Sequence, residues 1–189
     1  MPLSSPASRR PNHRRMVTYQ SYQRDDGLWD IEAELRDEKA VPYHDMERGL
    51  REPGAPVHDM AARVTFDDEM VIRVVEIDMR DVPFSLCNES SSGCRFLVGA
   101  KLGDKWRQTL SEHLGGSKGC VHVRELLFGV ATVALQTLWA HFRERDLRSG
   151  KQPNQHRQRP SFLDNCYAWA ANRSVVARYM PEFHVAPKE

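Results

Sequence analysis

The chain has 189 residues, and 27 Lys plus Arg stand against 26 Asp plus Glu. That length holds one domain with a sizeable core, or a domain with tails. The charge balance argues against a general nucleic-acid binder, whose footprint is a basic excess on one face. No apolar run is expected to approach the ~20 residues of a membrane span. The arginines near the N-terminus have no apolar stretch behind them, unlike a secretory signal. These features point to a cytoplasmic protein with neither a nucleic-acid nor a membrane partner.

In chain order, residues 1–20 read as a disordered basic leader, rich in Pro, Ser and Arg. A core domain is expected over 21–147, a polar linker over 148–160 and a packed-on segment over 161–189. From 27 to 36, Trp29, Ile31, Ala33 and Leu35 alternate with Asp30, Glu32 and Glu34, the signature of a half-buried strand. A polar loop follows through 43–56, with Pro53-Gly54 as a turn signal. Met60, Ala62, Val64 and Phe66 alternate next. Asp67-Asp68 turns the chain, and residues 71–79, rich in β-branched side chains, return.

After Pro83 the pattern becomes helical. Residues 88–93 read as a loop or weak helix. Asp104 is a candidate cap for a helix with Trp106, Leu110 and Leu114 on one face, closed by Gly115-Gly116. The longest helix spans about 121–145, with Leu126, Leu127, Val130, Val133, Ala134, Leu138 and Phe142 as a broad apolar stripe. The fold class is therefore α+β: a small antiparallel β-meander of about three strands, packed against two or more helices.

The chemistry concentrates where that long helix begins, at Gly119-Cys120-Val121-His122. Helix starts carry unpaired N–H groups and a partial positive charge, which favour a thiolate. His58 and Asp59 precede the second strand pair, and Cys87 follows the return strand. In a three-strand meander these positions share an edge, so Asp59, Cys87, Cys120, His122 and His58 form a candidate metal set. Sulfur, imidazole and carboxylate in one shell suit zinc or an iron–sulfur cluster. The bland reading makes Cys120 a half-buried capping residue and His58-Asp59 a turn. His44-Asp45, which begins the other copy of His-Asp-Met, reads as a turn more strongly. Cys166 reads as a small buried hydrophobe and a reserve ligand, Cys94 as incidental, and Glu125 as a salt-bridge partner. With no CxxC pair, zinc-ribbon and thioredoxin-like readings have no support.

Several stretches carry a resemblance: Pro56-Val-His-Asp-Met, Gly115-Gly-Ser-Lys-Gly-Cys-Val-His-Val-Arg-Glu-Leu-Leu and Asn165-Cys-Tyr-Ala-Trp among them. In these the chain resembles a bacterial family catalogued only as a domain of unknown function, a likeness that implies no activity. A fainter resemblance is to the NifU-like iron–sulfur scaffold proteins. It implies that Asp59, Cys87 and Cys120/His122 occupy the landmarks of cluster ligands, although Val57 stands where the scaffolds have their first cysteine. The leading expectation is a metal-binding scaffold or accessory protein acting with a partner protein or metabolic enzyme. The others are an enzyme with Cys120 as nucleophile and His122 or His58 as base, and a non-catalytic interaction module.

Overall fold

The structure, a computed structural model, describes residues 2–103, 105–150 and 159–186. The first strand, β1 (His13–Gln23), pairs antiparallel with β2 (Trp29–Lys39) along its full length, from His13 opposite Lys39 to Gln23 opposite Trp29. After β2 the chain makes a small separate hairpin of β3 (Tyr43–Asp45) and β4 (Gly49–Arg51). It then re-enters the main sheet as β5 (Pro56–Phe66), antiparallel to β2, and β6 (Ile72–Asp81) closes the far edge. The order is β1-β2-β5-β6, an antiparallel meander with the β3–β4 hairpin inserted at one end.

Alternation assigns the two faces. On β2, Trp29, Ile31, Ala33 and Leu35 are buried; on β5, Met60, Ala62, Val64 and Phe66 are buried. These positions pair across the strands, Ile31 with Val64 and Leu35 with Met60, so they share one face. Burying each large aliphatic or aromatic side chain there contributes about 1.5–3 kcal/mol. The opposite face is a wet lattice of ion pairs. Arg63 reaches Glu32 at 2.7 Å and Glu76 at 3.2 Å, and Arg80 reaches Glu34 at 2.9 Å.

The apolar face is covered by helices. Beyond a 3₁₀ segment (Ser85–Leu97) come α1 (Trp106–Leu114) and the long α2 (Val121–Arg148). The Tyr19 hydroxyl donates to the Leu126 carbonyl at 2.9 Å, and the buried Trp106 indole N–H donates to the Leu127 carbonyl at 2.8 Å. Val123, Leu126, Leu127 and Val130 are buried along α2. By length and composition alone, α2 is the one described helix long and apolar enough to cross a membrane. This differs from the expectation that no apolar run approaches that length, because the apolar stretch of α2 is interspersed with Gly, Thr, Gln and His and flanked by charges.

The chain divides into two compact units, residues 1–135 and 136–189, and the division falls within α2. In the second unit Leu163, Val176 and Met180 form a small core, with Trp139, Phe162, Trp169 and Phe183 packed against it. It contains a short helix, α3 (Ser174–Tyr179).

Four expectations change. The segment 13–20, expected in a disordered leader, is the first part of β1, because a full-length partner strand satisfies its backbone groups. The sheet has four strands rather than about three, and the polar loop over 43–56 contains the β3–β4 hairpin. Cys166 is exposed rather than a buried hydrophobe. Asp104 and most of the expected linker, 151–158, lie outside the described residues.

Candidate functional site

One end of the sheet breaks the apolar pattern. The inward face of β2 runs Trp29, Ile31, Ala33, Leu35 and then Asp37, which is only 1% exposed. Its cross-strand neighbours are Arg15 on β1 and His58 on β5. The β2–β5 register shifts between Asp37 and Glu38, immediately beyond this pair. Such irregularities re-aim side chains at strand ends.

Asp37 is saturated with donors. Arg15 Nε reaches Oδ1 at 2.8 Å and Arg15 Nη2 reaches Oδ2 at 2.7 Å. His13 Nε2 lies 3.2 Å from Oδ1, and His58 Nδ1 lies 3.1 Å from Oδ2. A carboxylate has about four acceptor directions, and all four are used. Burial raises the proton affinity of Asp37, but the Arg15 hydrogen bonds and charge, with His58 and His13, outweigh it and hold the carboxyl below its ordinary range. Arg15 Nη1 also reaches Glu125 Oε2 at 2.8 Å, joining β1 to the first turns of α2. The salt bridge expected for Glu125 is thus present.

The start of α2 supplies the other half. His122 faces His58, with ring centroids 3.9 Å apart and an interplanar angle of 40°. Burial and the His122 charge push the His58 pKa below its ordinary 6.5, against the opposing pull of Asp37. A neutral His58 donating Nδ1–H to Asp37 leaves Nε2 as its acceptor atom.

Cys120 Sγ lies 3.8 Å from His122 Nδ1. Burial alone would raise the Cys120 pKa, yet the His122 side chain and the backbone N–H groups of Val123 and His122 bring it below its ordinary value. Tight packing sets this corner: a Cβ built at Gly119 or at Gly93 would lie 3.0 Å from Leu114 Cδ2. The segments carrying Cys94 and Cys120 therefore run close together. Cys94 is buried, and burial together with the Cys120 charge pushes its thiol up to about 11.

Among the described residues, one group of metal-ligating atoms lies mutually within 4.8 Å: those of Asp37, His58 and His122. The structure thus joins His58 to His122 and brings Cys120 against His122. It does not bring in the other two expected ligands. Asp59 follows His58 by one residue, so its side chain emerges on the opposite face of the sheet. There it pairs with Arg36 at 2.8 Å and Arg80 at 3.4 Å. Cys87 sits near the start of the 3₁₀ segment, half-buried and outside the group. Asp37, Arg15 and His13 were not anticipated. The signal for Asp37 was the β2 alternation itself, which puts a carboxylate at the next inward position.

Together these features define an α+β protein with a histidine-rich polar cluster at one end of an antiparallel sheet, under the start of a long helix. The chain belongs to the family described as Protein of unknown function (DUF2889), which matches residues 13–136. That span contains β1 through the first half of α2, and with it every residue of the cluster. No curated protein and no solved structure matches the chain, so the comparisons lend no support to the NifU-like resemblance.

Proposed function

We propose that this protein binds a divalent metal ion at the His58–His122 pair. The observation that carries the reading is the convergence of Asp37, His58 and His122 ligand atoms within 4.8 Å of one another. The two imidazoles come from distant parts of the chain and meet at a half-buried spot, their rings tilted by 40°. Imidazoles this close repel when both are protonated and gain when both donate lone pairs to one cation. Arg15 bridges two carboxylates, Asp37 and Glu125, so this trio carries a net negative charge beside the histidines. The test is metal analysis of protein purified without chelator, beside His58→Ala and His122→Ala. Stoichiometric metal in the wild type, lost in both variants, supports the reading. Protein that is metal-free and takes up no zinc, iron or cobalt sinks it.

A second reading rests on Cys120. Its thiolate is favoured by His122 and by two helix-start amides, the environment of a nucleophile. Selective alkylation of Cys120 at neutral pH in metal-free protein would favour that reading; a thiol no more reactive than an ordinary cysteine would remove it.

A further inference from the structure

The metal reading leaves open which atoms form the inner shell, and the hydrogen bonds around Asp37 bear directly on this. Both Asp37 oxygens are engaged by the Arg15 fork at 2.7–2.8 Å, and each also receives one histidine, His13 at Oδ1 and His58 at Oδ2. A metal on Asp37 would have to displace Arg15 or one of the two histidines from a carboxylate that is 1% exposed. Stripping a donor from a buried carboxylate leaves its charge uncompensated. The same geometry suits a different role. A histidine ligand commonly donates its second ring N–H to a carboxylate, which fixes its tautomer and aim. His58 does this through Nδ1, leaving Nε2 for a metal.

Beside His122 sits a softer donor. Cys120 Sγ lies 3.8 Å from His122 Nδ1. Zinc–nitrogen and zinc–sulfur bonds of about 2.0 and 2.3 Å at a tetrahedral angle separate N and S by roughly 3.5 Å. The observed spacing is thus close to that of two ligands of one ion. Cys120 lies outside the mutually 4.8 Å group, so binding one ion through all three residues requires its thiol to move toward His58.

We infer that the ion is held by His58, His122 and the Cys120 thiolate, with Asp37 as a positioning residue locked by Arg15 and one coordination position left open. This builds on the metal reading and adds its ligand set and metal class. A thiolate with two imidazoles selects a borderline-soft ion such as zinc over magnesium or calcium. Three protein ligands and an open position are the pattern of a zinc centre that takes water or a small donor ligand, rather than a closed structural site.

Cobalt(II) titration of the metal-free full-length protein tests the assignment, because a cobalt–thiolate bond gives a near-ultraviolet charge-transfer band. Wild-type protein is expected to show the band, unchanged by excess magnesium. Cys120→Ser should lose the band while still binding cobalt more weakly. Asp37→Asn should keep the band with affinity reduced by about 10–100-fold. Circular dichroism verifies that each variant is folded. If Asp37→Asn does not fold, the wild-type and Cys120→Ser spectra still decide the question. Cobalt bound without the band, or a band that survives in Cys120→Ser, overturns the ligand set and leaves the metal reading standing. No cobalt uptake by the wild type overturns the ligand set, and failure to take up zinc or iron as well overturns the metal reading too.

Discussion

His58 and His122 place their ring centroids 3.9 Å apart, one from the start of β5 and one from the first turn of α2. In metal-free protein this closeness has a consequence for acid stability. The folded-state pKa of His58 lies below its ordinary 6.5, chiefly through burial and then the His122 charge. As pH falls through 6.5, the unfolded chain takes up the proton first. The unfolded state therefore binds more protons, and stability falls until the folded pKa is passed. Thermal unfolding of metal-free protein should show a falling Tm below pH 6.5. His58→Gln, which cannot titrate, should flatten that limb. A Tm for the wild type that is level from pH 7.5 to 5 would refute the assignment.

Cys120 and Cys94 should differ sharply as thiols. Cys120 is shifted down against the effect of its own burial, by His122 and by the Val123 and His122 amides. Cys94 is pushed up to about 11 by burial and by the Cys120 charge. Iodoacetamide labelling of metal-free native protein, read by peptide mass spectrometry across pH 6–9, should modify Cys120 early and leave Cys94 unmodified. His122→Ala removes one of the groups that stabilise the thiolate, so the Cys120 labelling profile should move to higher pH. Equal profiles in wild type and variant would mean that the 3.8 Å approach has no effect on the thiol.

How much of this could be read from the chain depends on what each signal reports. Period-2 alternation is local, and it located β2 and β5 with their inward faces. The edge strand β1 was missed because its segment is Arg- and polar-rich. Its order comes from pairing with β2 and from the Tyr19 contact with α2, both non-local. Cys120, His122 and His58 were legible as chemistry-bearing residues. Their neighbours depend on strand parity: one residue's step separates His58, which faces α2, from Asp59, which faces the ion-pair lattice. Asp37 stands just past the alternating stretch 27–36, and nothing local in the sequence beyond that alternation marks it. Its role emerges only once Arg15 and His58 are known to flank it across the sheet.

The β3–β4 hairpin should respond to acid through Asp45. Its carboxylate accepts from the Arg48 guanidinium at 2.6 Å and from the backbone N–H groups of Glu47 and Arg48. Arg48 leads these contacts, and they outweigh the opposing effect of burial, lowering the Asp45 pKa from 3.8 to about 2. A depressed carboxylate contributes stability that is full above 3.8 and lost as pH falls toward 2. Asp45→Asn should therefore lower Tm at pH 7, with the difference from wild type shrinking between pH 4 and pH 2. A difference that stays constant across that range would show that the contribution does not depend on the carboxylate charge.

Gly129 should be intolerant of a methyl group, although it lies inside a helix. A Cβ there would lie 2.3 Å from both Cζ and Oη of Tyr19. Glycine in a helix interior costs ~1 kcal/mol relative to alanine. Gly129→Ala would thus stabilise α2 if nothing opposed it. Here the new methyl meets a tyrosine ring whose hydroxyl is fixed to the Leu126 carbonyl. Overpacking of this kind costs about 1–3 kcal/mol, so the clash wins and the substitution should destabilise the protein in urea titration. Tyr19→Ala removes both the ring and its hydrogen bond and should destabilise by itself. In the double variant the Gly129→Ala penalty should vanish or reverse to a gain, because the methyl no longer meets a ring. Additive losses in the double-mutant cycle would mean that the two residues are uncoupled, and that β1 and α2 do not approach each other through this pair.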